Sequence, residues 1–515
     1  MSKTPNEQLL FELIKSLTKS EKRSFKLFAK RSGATDDAKF IRLFDAMDGV
    51  NSYDEAAILK KMPEVSKTQF ANLKSHLYGQ ILASLRLSNL KHDIDIELRE
   101  QLDYIRVLYK KGLYYQSLRL LNRAKNTIGD YRKDLFQLAL LDYEKQIRSQ
   151  QVFDLEESYA DDLDKQTNEA LARFSKVQQF FTLATKMKAR FVEKGMVKSE
   201  IEMNNLKALF YTSVKDVQEE DLAFNEKFYL YRAYYWFSYL TYDFESCVKY
   251  AEKWVNSFKE GGLDRKRKAG FLKGLNRLLQ SAFRIDDVQR FNQYYAYLDE
   301  FEEAEGSAMT SNTASLLLKY RTIQTFNQTF LQADFEDKKE FIQSLLSQVK
   351  SSESRIDPHN LTVIYYKAGV YFFALEDYRE SRFYLNKLIN EPGGLRSDLK
   401  GFARIISVLI DYDSGQEEHI DRKIKSAYVY IKQAENLGEL QETFLKFFKN
   451  LGALFPQEVK KAFRDLKGQL EQLEKDPYAA KPLLYFDVLS WLDAKIEGTS
   501  FAEAVKKKIE KSQSQ

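Results

Sequence analysis

The sequence predicts an all-α protein: an irregular α-α solenoid of about ten helix pairs behind a small N-terminal helical domain. Three observations carry that reading. The chain holds only seven Pro and twenty Gly in 515 residues, well under the roughly 5% and 7% of an average protein, so little interrupts helices. Apolar residues recur at intervals of three and four along most of its length, and alternating strand patterns are almost absent. Finally, 37 Phe, 31 Tyr and 3 Trp supply apolar area for a large core, the opposite of a disordered composition.

Residues 1–92 form the first element. They hold sixteen Lys and Arg against ten Asp and Glu, a surplus of +6, while the chain as a whole carries +5. Thr18-x-x-Glu21, Ser52-x-x-Glu55 and Ser66-x-x-Gln69 each fit a capping box, in which the first side chain and the fourth satisfy each other's backbone N–H groups. Phe40, Leu43, Phe44 and Met47, then Phe70, Leu73, Leu77, Ile81 and Leu85, lie on single helical faces. Four or five short helices are expected. Lys19, Lys22, Arg23, Lys26 and Lys30 share one face and would suit phosphates or an acidic partner. Residues 54–62, a turn at 63–65 and residues 66–87 also read as a helix-turn-helix, with Lys67, Thr68, Gln69 and Lys74 exposed on its second helix.

Residues 93–515 read as successive helix pairs starting near 93, 132, 172, 221, 265, 310, 358, 396, 438 and 478, with a capping pair at the C-terminal end. Three segments share one template: Gly112, Tyr114, Ser117, Leu121, Ala124; Tyr242, Phe244, Cys247, Ala251, Trp254; and Glu376, Tyr378, Ser381, Leu385, Leu388. The offsets describe a tight turn, an aromatic plug, a small residue where two helices touch, and apolar residues on later turns. Bends are expected at Gly261 and Gly262 and at residues 391–394.

In the stretches LYKKGLYYQSLRLLNRA, YLTYDFESCVKYAEKW and FALEDYRESRFYLNKL, within matches near 97–129, 227–258 and 361–392, this pattern resembles the tetratricopeptide repeat. That family opens its second helix with a Gly, Asp, Tyr turn and keeps small and aromatic residues at the same intervals. The third copy adds Gly369 and Phe372 in its first helix and Pro392 after its second. The pairs here repeat every 38 to 49 residues or so, against about 34 in the family. The resemblance implies a groove lined by the first helix of each pair, holding a peptide or partner helix. Counting back ten, six and three residues from each turn places Leu102, Arg106, Tyr109; Arg232, Trp236, Tyr239; and Tyr366, Val370, Phe373 on it. Trp, Tyr and Arg combine apolar area with a polar handle and dominate interface hot spots.

No phosphate-binding Gly loop, nucleophile elbow or H-E-x-x-H motif occurs. His76, His92, His359 and His419 stand apart, with no second ligand at metal spacing, and read as solvated or capping residues. Asp411 and Asp413 read as a helix cap or solvated turn, and the runs Arg265 to Lys268 and Lys506 to Lys508 as solvated ends. Cys247, the single Cys, reads as structural, and one Cys excludes an intramolecular disulfide. No cofactor, metal or catalytic activity is expected. No signal peptide and no membrane span are read, because charged residues interrupt every apolar stretch, and a cytoplasmic location is expected. The function expected is a non-enzymatic scaffold or adaptor that binds a protein through its groove. The alternative is a nucleic-acid-binding regulator that uses residues 1–92, with the solenoid as a sensor.

Overall fold

The computed structural model describes residues 8–31, 38–90, 93–150, 156–306, 309–391, 396–416, 420–433, 439–451, 456–473, 475 and 485–513. Among them are 24 α-helices and no β-strand. The chain divides into two compact units, Met1–Leu171 and Ala172–Gln515. The division at 92/93 read from the sequence lies inside the first unit, between one hydrophobic cluster spanning residues 10 to 85 and another spanning 98 to 147.

The first unit contains α1 (Leu9–Ser16), α2 (Lys19–Arg31), α3 (Lys39–Asp48), α4 (Glu55–Lys60), α5 (Lys67–Asn89), α6 (Ile94–Lys110), α7 (Tyr114–Tyr131), α8 (Asp134–Arg148) and the start of α9 (Glu157–Lys194). Thr18 with Glu21 and Ser66 with Gln69 form the reciprocal capping boxes. At α4 the cap is Asp54, which accepts from the Ala57 N–H at 3.0 Å, in place of the expected Ser52. Phe25 of α2 packs on Phe44 of α3 with ring centroids 4.7 Å apart. A helix start near 172 is corrected: α9 runs through it for 38 residues. Residues 157–194 hold neither Gly nor Pro, so nothing in the backbone stops that helix.

The second unit continues with α10 (Glu200–Val214), α11 (Phe224–Leu240), α12 (Phe244–Glu260), α13 (Lys268–Arg284), α14 (Val288–Glu305), α15 (Ser311–Gln332), α16 (Lys339–Ser351), α17 (Pro358–Ala374), α18 (Tyr378–Ile389), α19 (Ser397–Asp413), α20 (Ile420–Gln433), α21 (Glu439–Leu451), α22 (Pro456–Leu473), α23 (Val488–Glu497) and α24 (Phe501–Gln513). The start near 478 expected for the last pair lies outside the described residues, as do residues 392–394 of the expected bend, with Pro392, and His92 and His419. Consecutive helices pack on one another from α11 to α16 and from α17 to α24, and α13, α15, α17 and α19 also pack directly in that order, forming a layer of first helices.

One turn geometry recurs. Gly112, Tyr242, Asp286, Glu376 and Gly415 all take positive φ, between 54° and 71°. In each case the next residue's N–H reaches back five positions, as in Asp243 to Ser238 O, Asp287 to Ala282 O and Asp377 to Phe372 O, closing the first helix with a Schellman-type bond. At Gly112 the left-handed conformation is unstrained, whereas Tyr242, Asp286 and Glu376 adopt it at a cost of roughly 1 kcal/mol each. The small residue of the template has a physical reason too. Ser117 Oγ donates to Ile105 O (2.9 Å), Cys247 Sγ to Tyr235 O (3.6 Å) and Ser381 Oγ to Gly369 O (2.7 Å), always to the carbonyl twelve residues earlier on the paired helix. A Cβ on Gly369 would stand 2.5 Å from Leu385 Cδ2, so the α17–α18 approach depends on a glycine there.

Two of the charged groups expected to be solvated are structural, whereas Lys506 to Lys508 are exposed as expected. Asp411, 3% exposed, accepts at Oδ1 from Arg382 (2.8 Å) and Lys423 (2.7 Å), and Asp413 forms an ion pair with Lys495 (2.6 Å) and accepts from Trp491 Nε1 (3.1 Å). The D-x-D pair therefore pins α18, α20 and α23 to α19. Arg265 donates to the carbonyls of Glu300 and Phe301, Arg267 to Asn225 Oδ1, and Lys268 pairs with Glu305, so this run ties α13 to α11 and α14. Lys507 and Lys508 of the terminal run pair with Glu497 and Asp487.

Candidate functional site

The first helices of the second unit gather cations whose neighbours are chiefly other cations. Arg232 on α11 lies over Phe181, Phe228, Tyr229 and Trp254, with its guanidinium 5.2 to 5.9 Å from the ring centroids. Arg277 on α13 stacks on Trp236 at 4.7 Å and donates to Gln280 Oε1 at 2.8 Å. Lys188 of α9 and Lys273 of α13 are exposed, and both lie within reach of the Arg232 charge. None of these four pairs with a carboxylate among the described residues. Burial first, then Arg277 and Arg232, pulls the Lys188 pKa below its ordinary value; burial, then Arg232, Lys319 and Lys188, does the same at Lys273. Like charges brought together without an anion each disfavour the protonated form.

Further along, Asp357, which acts on Lys188, and Asp398 are already engaged. Asp357 caps α17 through the Asn360 N–H and accepts from Lys319 Nζ at 2.7 Å. Burial would raise its pKa, but those bonds outweigh burial and hold it at about 2. Asp398 is gripped by Arg396 through two bonds of 3.0 and 2.8 Å and is held at about 2 in the same way, against the opposing effect of burial. His359 is pushed down to about 4 by burial and then by Arg396 and Arg277, so it is neutral at pH 7.

At the base, Lys367 Nζ donates to Asn327 Oδ1 at 2.6 Å, Asn327 to Gln324 Oε1 at 2.7 Å, and Gln324 to Asn276 Oδ1 at 2.8 Å. This buried ladder runs from α17 through α15 to α13 and fixes the ammonium beside Phe283, 5.1 Å from the ring centroid. Burial, with Arg284 and Arg396 nearby, lowers the Lys367 pKa to about 7. Tyr239 on α11 acts electrostatically on Arg396 and on Tyr485.

The groove residues read from the sequence divide. Arg232, Tyr239 and Trp236 lie at the basic face, although Trp236 is 6% exposed and packed between Arg277 and Phe191. Tyr366 and Phe373 are corrected from groove to core: Tyr366 donates to Tyr485 O at 3.1 Å and Phe373 packs on Phe486 and Phe501. The C-terminal segment covers them, a long-range contact that local spacing does not encode. In the first unit Arg106 lies over Tyr109 at 5.2 Å and donates to Gln146 Oε1 at 3.2 Å.

On α2, Lys22 pairs with Asp48 and Lys26 with Asp45 (2.7 Å), both acids on α3, while Lys19, Arg23 and Lys30 stay exposed. Lys74, expected to be exposed on the second helix of the helix-turn-helix reading, instead pairs with Glu55 of α4 at 2.8 Å and lies over Phe70.

Sequence reasoning missed Lys188, Lys273, Arg277, Lys319 and Lys367. A signal existed: Arg277, Gln324 and Lys367 each stand nine positions before a turn residue of positive φ, namely Asp286, Ala333 and Glu376. Among the described residues no group of three or more His, Cys, Asp and Glu is placed to hold a metal, and no helix is long and apolar enough to cross a membrane. Comparison with protein-family models, curated proteins and solved structures gives no match.

Proposed function

We propose that residues 93–515 are tetratricopeptide-like helix pairs and that the chain is a non-enzymatic, cytoplasmic scaffold or adaptor, holding a partner protein against first helices within residues 172–515. The recurring turn and the hydroxyl or thiol bond to the carbonyl twelve residues earlier support the family reading. The observation that carries the binding reading is the set of Lys188, Arg232, Lys273 and Arg277, which face one another with no carboxylate partner among the described residues. Like charges gathered this way cost folding free energy, and a partner that neutralises them recovers it. The test is affinity capture of the tagged chain from its own cells, with nuclease treatment, beside the double variant Lys188→Glu, Lys273→Glu. A near-stoichiometric protein that survives nuclease and disappears with the variant supports the reading; a partner held equally by both removes the groove.

A second reading assigns nucleic-acid binding to residues 1–92, favoured by the exposed Lys19, Arg23 and Lys30 on one helix. It requires duplex DNA to be retained at about 50 mM salt and released by Lys19→Glu with Arg23→Glu.

A further inference from the structure

The basic face also specifies the chemistry and length of its occupant, and the inference rests on the groove reading above. Helix α9 packs on α11 through Phe181 and Tyr229 (4.8 Å) and through Phe191 and Trp236 (5.5 Å). Helix α11 meets α13 through Trp236 and Arg277, and α13 packs on α15. With helix diameters of about 10 to 12 Å, the axes of four successive helices span roughly 30 to 36 Å, which an extended chain crosses in about ten residues. Each of the four contributes a cation: Lys188, Arg232, Lys273 with Arg277, and Lys319.

Lys188 and Lys273 are exposed and make no hydrogen bond or ion pair within the described chain. Arg232 and Arg277 spend their charge on ring faces, and the nearest acid, Asp357, is taken by Lys319. Most of the aromatic surface beside them is covered, although Phe181 under Arg232 is 40% exposed. Trp236 is covered by Phe191 and Arg277, and Phe228 and Tyr320 are 6% and 7% exposed. Single-stranded nucleic acid is held on rows of open aromatic faces on which successive bases stack; beside Phe181 the rings Trp236, Phe228 and Tyr320 are buried, and what the face repeats from helix to helix is cations.

We infer that the face formed by Lys188, Arg232, Lys273, Arg277 and Lys319 binds an extended acidic peptide segment, rich in Asp or Glu, of about ten residues. Its carboxylates meet the two free lysines first, and its backbone crosses the four helices.

The test uses the full chain and fluorescence anisotropy with labelled peptides of about ten residues, graded from all-Gln to all-Glu, beside a single-stranded oligonucleotide of about the same length. Affinity rises with Glu content and falls steeply as salt is raised from about 50 to 200 mM. Lys188→Glu with Lys273→Glu lowers it by about tenfold or more, while Lys19→Glu with Arg23→Glu changes it less than about twofold. Both lysines are exposed, so thermal melts of the double variant match the parent within a few degrees; a variant that fails to fold is replaced by Lys188→Gln, Lys273→Gln, for which a smaller loss is expected. Absence of peptide binding, binding indifferent to the variants, or tighter binding of the oligonucleotide overturns the acidic assignment. The groove reading fails separately: a partner from cells that is lost with the double variant while acidic peptides do not bind leaves the groove and removes the acidic peptide, and a partner unaffected by the variant removes both.

Discussion

On α2, Lys22 and Lys26 meet Asp48 and Asp45 of the adjoining α3, whereas on α9, α11 and α13 the cations Lys188, Arg232, Lys273 and Arg277 meet rings and one another. Summed along the sequence, the first region is the basic one, with its surplus of +6, and the rest of the chain is nearly neutral. Folding reverses that impression. It neutralises part of the α2 row within a helix–helix seam and gathers unneutralised cations from three helices, α9, α11 and α13, onto one face. Charge available to a partner is thus a property of where counter-ions fall, and a linear count does not reveal it.

The comparison can be broken at its paired extreme. Asp411, 3% exposed, neutralises both Arg382 and Lys423, so Asp411→Asn strips two cations of their partner and destabilises the chain by about 2 to 4 kcal/mol in denaturant unfolding. The unpaired extreme behaves oppositely. With a folded-state pKa of about 7 against an ordinary 10.5, Lys367 is deprotonated more readily folded than unfolded. Parent stability therefore rises with pH between about 7 and 10.5, and the penalty is fully present below about 7. Lys367→Met removes it, at the cost of leaving Asn327 Oδ1 short of a donor. Relative to the parent, the variant is expected to gain about 1 to 3 kcal/mol on going from pH 10 to pH 6, read from unfolding midpoints at the two pH values.

Asp45→Asn with Asp48→Asn frees Lys26 and Lys22; it is expected to cost about 0.5 to 1 kcal/mol and to raise duplex DNA affinity a few-fold at low salt. The smallest effect is a difference of sign. Lys188→Gln with Lys273→Gln relieves like-charge repulsion and stabilises by a few tenths of a kcal/mol, whereas Lys22→Gln with Lys26→Gln destabilises by about as much. Equal signs in matched thermal melts would mean that the two rows do not differ as described.

The helical class was legible because breakers are scarce and periodicity is persistent, and most helix starts follow caps that the sequence carries, such as Thr18, Ser66, Asp243 and Asp377. The small residues Ser117, Cys247 and Ser381 were legible as helix contacts, and each bonds its paired helix. The 38 residues of α9 were misread because a helix without an internal breaker gives no signal that it continues past an expected turn. Little of the site was legible: of the five cations at the basic face the spacing picked Arg232, with Tyr239 nearby. Tyr366 and Phe373 have the same spacing but lie under Tyr485, Phe486 and Phe501, more than a hundred residues away. Lys367 looked only like a charge interrupting an apolar stretch, because the amides that hold it, Asn327, Gln324 and Asn276, come from two other helices.

The central claim, that the inner face of residues 172–515 takes an acidic segment, is tested most directly by lysine acetylation footprinting of the full chain with and without an all-Glu peptide of about ten residues, read by mass spectrometry. The expected result is protection of Lys188 and Lys273, with Lys19, Lys22, Lys26 and Lys30 unchanged. Protection confined to the α2 lysines, or none at any of these positions, would contradict it.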